Sequence, residues 1–113
     1  MPSPVVFFEI GCADSAATRE FYASLFDWKI TPSPSSSLID PGEGIQGHIT
    51  SLGHEPHQYT IFYVQVDDVA ASIEKVKELG GSLIVGPIPI PAGTFAWIRD
   101  PGGNTIGLWK HSA

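Results

Sequence analysis

Along residues 5–12 and 59–66, apolar side chains recur at every second position: Phe8, Ile10 and Cys12 in the first stretch, Phe62, Val64 and Val66 in the second. A period of two is that of a strand, whose successive side chains point to opposite faces. Each stretch runs into an acidic residue suited to cap a helix, Asp14 or Asp68, and then into apolar positions at helical spacing. In the first helix, Ala17, Phe21 and Leu25, flanked by Tyr22 and Phe26, are expected to form the buried stripe. In the second, Val69, Ile73, Val76 and Leu79 make the stripe, and Gly80-Gly81 ends it.

The two patterns are copies of one another. Phe8, Ile10, Cys12, Asp14, Ala17, Tyr22, Leu25 and Ile30 fall on Phe62, Val64, Val66, Asp68, Ala71, Val76, Leu79 and Ile84, each pair 54 positions apart. A unit of that length occurring only twice is a duplicated module rather than a solenoid array, so function is expected to lie between the halves. After the first helix, extended structure is predicted at residues 28–30, 38–40 and 45–51, with a turn at Pro41-Gly42-Glu43-Gly44. Residues 31–37, with two prolines and four serines, read as a surface loop with nothing to bury, and residues 53–57 as the connection between modules. In the second copy, strands are expected at residues 82–85, 94–99 and 104–109. Pro87, Pro89 and Pro91 remove alternate backbone donors, which fits an edge or bulged segment. The expected fold class is α+β: two βαβββ modules, residues 5–52 and 58–110, in one domain with a curved mixed sheet around a cleft.

Strand alternation separates the faces. Phe8, Ile10, Cys12, Phe62, Val64 and Val66 are expected beneath the helices, together with Ile45, Gly47, Ile49, Ile106 and Leu108. The opposite face carries Phe7, Glu9 and Gly11, Ile61, Tyr63 and Gln65, Gln46, His48 and Thr50, and Thr105, Gly107 and Trp109, with Arg99 expected to join them. A face mixing aromatics with Glu, His, Gln and Arg is poorly suited to bulk core and reads as the wall of a ligand cleft.

Composition narrows the partners. With 113 residues and 42% hydrophobic content the chain has enough apolar surface for a core. Its net charge of -6, with six Lys plus Arg that form no cluster, supplies no footprint for nucleic acid or an anionic membrane. No apolar stretch approaches bilayer length and no signal-peptide pattern is present, so a cytoplasmic location is expected. Cys12, the single cysteine, alternates with apolar residues and reads as a buried small side chain rather than a reactive thiol.

Paired βαβββ units, the segment Phe21-Tyr22 through Leu25-Phe26-Asp27-Trp28, and the closing Asp100-Pro101-Gly102-Gly103-Asn104 with Ile106-Gly107-Leu108-Trp109 resemble the vicinal-oxygen-chelate superfamily. That group includes glyoxalase I, extradiol dioxygenases and bleomycin or fosfomycin resistance proteins. The likeness is to small glyoxalase-like proteins related to lactoylglutathione lyase, and covers residues 5–109. Asp27 stands where Gly is usual in that family. The resemblance implies a divalent metal held by four side chains, one from the first and one from the last strand of each module. The matching positions are Phe7, Ile61, Gly107 and either Gln46 or His48. The first three have no lone pair for a cation, so no metal and no other cofactor is expected. His48, His54 and His57, near Glu43 and Glu55, match no standard zinc spacing; His54 and His57, in the presumed connection, read as solvated loop histidines, and His111 as exposed.

Glu9 is the candidate acid or base, two positions from Phe7 and opposite its repeat mate Tyr63; the alternative is that it pairs with Arg99 or accepts from Tyr63 or His48. Trp97 and Trp109 read either as stacking surfaces for a flat ligand or as packing. The candidate ligand contacts are thus Phe7, Glu9, Gln46, His48, Ile61, Tyr63, Trp97, Arg99, Gly107 and Trp109. Together they predict a glyoxalase-like protein that binds a small, partly apolar or aromatic molecule without a catalytic metal. Two alternatives stand beside it: a metal-dependent lyase or dioxygenase with an atypical site around Gln46, His48 and Glu9, and a structural or regulatory dimer whose cleft is filled by its own side chains. A homodimer is expected from the family, because an apolar sheet edge is otherwise left open.

Overall fold

The computed structural model describes residues 2–33, 36–51 and 58–112. The elements run β1 (Val5–Gly11), α1 (Ser15–Phe26), β2 (Lys29–Thr31), β3 (Ser37–Asp40), β4 (Gln46–Thr50), β5 (Tyr59–Gln65), α2 (Val69–Glu78), β6 (Ser82–Ile90), β7 (Gly93–Arg99) and β8 (Thr105–His111). This is βαβββ written twice. The connection predicted at residues 53–57, with His54, Glu55 and His57, lies outside the described residues.

By internal contacts the chain forms two compact units, one of Phe7–Ile61 and one of Phe62–Ala113 together with Met1–Val6. The second unit recruits the start of the chain through the Gln65 N–H, which donates to the Pro4 carbonyl at 2.9 Å.

In the first unit, β2, β3 and β4 are antiparallel neighbours, and β4 runs parallel to β1 with Phe7 opposite Gln46, Glu9 opposite His48 and Gly11 opposite Thr50. Ile10, Cys12, Ile39 and Ile49 form the core here, with Phe8, Tyr22, Trp28 and Ile30 packed against it. Cys12 is buried, its Sγ 3.6 Å from the Thr50 carbonyl oxygen. Asp14 caps α1 as expected, its Oδ1 accepting from the Ala17 N–H at 3.0 Å.

The buried stripe of α1 differs from the expected one. Phe21 and Leu25 are 58% and 57% exposed, Phe26 is also more than half exposed and Ala17 faces solvent, whereas Tyr22 reaches the core and stacks on Trp28. Helical spacing admits either line, and packing of Tyr22 on Trp28 and the Ile10, Ile39 and Ile49 core selects the second. Asp27 ends α1 at φ 59, the left-handed conformation that favours glycine, and its N–H bonds the Ala23 carbonyl. That backbone explains why Gly is usual at this position in the family the sequence resembles.

Two further corrections belong to this unit. Ile45 precedes β4 and is exposed instead of sharing the core face with Ile49, because β4 starts one residue later. Ser37, read as loop, opens β3 and is only 2% exposed, held on the core side opposite Ile49.

In the second unit, β5 pairs in parallel with β8, which is antiparallel to β7, itself antiparallel to the edge strand β6. The proline-rich segment continues β6, with register shifts between Leu83 and Val85 and between Val85 and Ile88, the second of which spans Pro87. Val69, Ile73, Ala96, Ile98 and Leu108 make the core, and Val66, Val76, Leu83 and Ile106 pack on it. Leu79 and Phe62 are exposed, contrary to expectation: Leu79 is the C-cap of α2, rotated off the stripe, and Phe62 stands on β5 away from the cluster under α2. The Asp100–Asn104 segment is a turn, closed by Asp100 Oδ1 accepting from the Asn104 N–H at 2.8 Å.

Candidate functional site

The non-helical face of the first unit gathers most of its chemistry in one row. Glu9 on β1 and His48 on β4 are direct partners in the parallel register, and neighbouring strands stand roughly 4.8 Å apart. The β3–β4 register pairs Leu38 with His48, so Ser36, two residues before Leu38, shares their face. Its Oγ lies 3.1 Å from His48 Nδ1. From β5, the Tyr59 hydroxyl donates to Glu9 Oε2. The row therefore reads Tyr59, Glu9, His48, Ser36: phenol, carboxylate, imidazole, hydroxyl.

Aromatic surface frames the row. The Phe7 ring meets His48 edge to face, centroids 5.3 Å apart. Tyr59 reaches Glu9 because Gly11 has no side chain: a Cβ there would fall 2.0 Å from Tyr59 Cε2. Burial pushes the His48 pKa below its ordinary 6.5, with the Glu9 carboxylate opposing that shift. His48 is accordingly a neutral imidazole at pH 7, able to accept one hydrogen bond and donate another.

The predicted residues separate into groups. Phe7, Glu9 and His48 are brought together in the first unit, with Gln46 exposed one register step away opposite Phe7, and Ile61 buried on β5. In the second unit, Tyr63, Trp97 and Trp109 are buried, and Trp97 Nε1 donates to the Tyr63 hydroxyl at 2.7 Å. Gly107 is the seat of the Tyr63 ring rather than an open wall position, since a Cβ would stand 2.3 Å from Tyr63 Cδ1. Arg99 is exposed at the end of β7. Glu9 takes its hydroxyl partner from Tyr59, a residue the sequence reading placed on the strand but not in the site. Its signal was available: Tyr59 shares the parity of Ile61 and Tyr63. Ser36 was also missed, because its serine-rich surroundings hid the parity it shares with Leu38.

The register also resolves the fourth position matched to the superfamily's metal ligands. The 54-residue repeat carries Glu9 onto Tyr63; Tyr63 pairs with Gly107 and Glu9 with His48, so His48 is the counterpart of Gly107. Of the four positions Phe7, His48, Ile61 and Gly107, one bears a ligating atom. Among the described residues, no three His, Cys, Asp or Glu side chains are grouped to hold a metal. Among the described residues, no helix is long and apolar enough to cross a membrane.

The sequence model of the Glyoxalase/Bleomycin resistance protein/Dioxygenase superfamily matches residues 5–108. A putative glyoxylase of Mycobacterium tuberculosis, CFP32, is 28% identical over 117 residues, covering 90% of this chain and 43% of that protein. The anthracycline biosynthesis protein DnrV of Streptomyces peucetius is 26% identical, covering 96% of this chain and 47% of its own length. The chain thus spans about half the length of these curated relatives. A glyoxylase-like domain-containing protein of Didymella fabae is 30% identical with 88% of both chains covered. Among solved structures, methylmalonyl-CoA epimerase from Mycobacterium tuberculosis superposes with a TM-score of 0.69 at 16% identity, over 96% of this chain and 88% of that one.

Proposed function

Because this chain belongs to the glyoxalase/bleomycin resistance protein/dioxygenase superfamily, we propose that it binds a small, partly aromatic molecule on the β1–β4 face of its first unit, without a catalytic metal. The observation that carries this reading is the row Tyr59–Glu9–His48–Ser36 set against the Phe7 ring. A few converging polar groups beside an aromatic wall are the usual make-up of a small-molecule site: the ring supplies apolar contact and the polar groups fix orientation. The name of the DnrV relative, an anthracycline biosynthesis protein, supports an aromatic ligand.

The same reading makes Phe7 a binding surface, because the position matched to a ligand residue holds a ring instead. It makes the protein a homodimer as well, supported by the half-exposed Phe21, Leu25 and Phe26 of α1. Sedimentation equilibrium giving the mass of a single chain would remove that part.

The test of the main reading is thermal-shift screening against a panel of one- and two-ring aromatic molecules. A ligand at a hundred times its dissociation constant adds about 2.7 kcal/mol of stability. At least one compound is expected to raise Tm for the wild type and not for Phe7→Ala. No shift with any compound, or an equal shift in the variant, overturns the reading. Metal analysis serves as the companion: a metal bound one-to-one and required for the ligand response would defeat the metal-free part alone.

A further inference from the structure

The first unit already holds one phenol. The Tyr59 hydroxyl donates to the Glu9 carboxylate, and the bare backbone of Gly11 leaves room for its ring. One strand further along the face stands a second acceptor, His48, with an aromatic ring of its own beside it in Phe7. We propose that the molecule taken here is itself a phenol, its ring against Phe7 and its hydroxyl donating to Nε2 of His48, with Ser36 as the residue that positions the imidazole. This inference rests on the aromatic-ligand reading above and adds the polar group by which the ligand is chosen.

The geometry behind it is the 3.1 Å contact of Ser36 Oγ with His48 Nδ1. A neutral imidazole has one N–H and one lone pair, and whichever group engages Nδ1 decides which of the two Nε2 presents. With Nδ1–H donating to Ser36 Oγ, Nε2 carries the lone pair and accepts from the phenol. Ser36 is thus a positioning residue acting through His48. Glu9 is engaged by Tyr59 and stands beside His48, where its charge disfavours an anionic ligand and leaves a neutral donor such as a phenol preferred. Burial keeps His48 uncharged at pH 7, the form this contact needs.

The test pairs two probes that differ in one group, 4-methoxyphenol and 1,4-dimethoxybenzene, measured by calorimetry at pH 8 with the full chain. The phenol is expected to bind roughly tenfold tighter or better, the value of one satisfied hydrogen bond. His48→Gln and His48→Leu, each checked for folding by circular dichroism, should reduce that preference to about twofold or less. Ser36→Ala should lower it and change the ¹⁵N shifts of His48 away from the Nδ1–H tautomer, a signature that a merely structural serine would not move. Equal affinity for both probes overturns the phenol inference and leaves the aromatic-ligand reading standing. Binding of neither, while another aromatic compound of the panel still raises Tm, overturns the phenol inference alone; no response to any compound overturns both. A tenfold preference that survives in both His48 variants removes His48 from the role.

Discussion

Replacing Gly107 with Ala asks whether this position is a ligand contact or the seat of a packed ring. An ideal Cβ at residue 107 falls 2.3 Å from Tyr63 Cδ1, 2.5 Å from Cε1 and 2.8 Å from Cγ. Carbon pairs are comfortable at about 3.5–4.0 Å, so the ring has to retreat by about 1 Å. It has little freedom to do so: Tyr63 is 3% exposed, its hydroxyl accepts from Trp97 Nε1 at 2.7 Å and its ring meets Phe95 edge on at 6.3 Å. Overpacking of this kind costs about 1–3 kcal/mol. Weakening the Trp97–Tyr63 hydrogen bond adds about 1 kcal/mol. The expected total is about 2–4 kcal/mol, read by urea denaturation followed through tryptophan fluorescence, with Tm lowered by roughly 10 °C. The control is the same change in a Tyr63→Ala background, where the clash has been removed and Gly107→Ala should cost less than about 0.5 kcal/mol. If Gly107→Ala is neutral in the wild type, or costs the same in both backgrounds, the packing argument is wrong.

Other expectations are narrower. The His48 pKa, read by NMR titration, should lie below 6.5, and Glu9→Gln should lower it further by removing the charge that opposes burial. Since the folded state then binds fewer protons than the unfolded one, His48's contribution to stability is complete above pH 6.5 and declines as pH falls through its folded value; a midpoint above 6.5 would refute this. On α1, Tyr22→Ala should destabilise by about 2–4 kcal/mol and Phe21→Ala by less than about 1 kcal/mol in chemical denaturation, and the reverse order would restore the stripe expected from spacing. Asp68→Ala removes the acceptor of the Ala71 N–H, 3.0 Å away, and should cost about 1 kcal/mol; no change in the denaturation midpoint would deny the cap its role.

Several of these expectations were legible in the chain itself. The period-two stretches ending at Asp14 and Asp68 specify strand then helix, because alternation, capping chemistry and helical spacing all act within a few residues. The prolines of β6 announce an edge strand, since a missing N–H is felt wherever the strand pairs. The face split of β1 and β4 follows from parity and places Phe7, Glu9, Gln46 and His48 on one side. What local pattern leaves open is rotation and register. Helical spacing offered both the Phe21–Leu25 line and the Tyr22 line, and only packing against Trp28 and Ile10's neighbours selects Tyr22.

The partners of the polar residues were a tertiary matter too. Glu9 had three conceivable partners in the sequence, and the pairing of Tyr59 with it, 50 residues away in the chain, depends on β5 presenting a ring over Gly11. Ser36 meets His48 only because β3 and β4 pair in one register, and a shift by a single residue would turn Ser36 to the other face. The duplicated strand–helix pattern and the residue types at Phe7, Ile61 and Gly107 were thus written in the sequence alone, being properties of single positions and short periods. The row of four polar groups, and the burial that keeps His48 neutral, came into being with the tertiary structure, because contacts between distant residues and removal from water exist only once the strands are side by side.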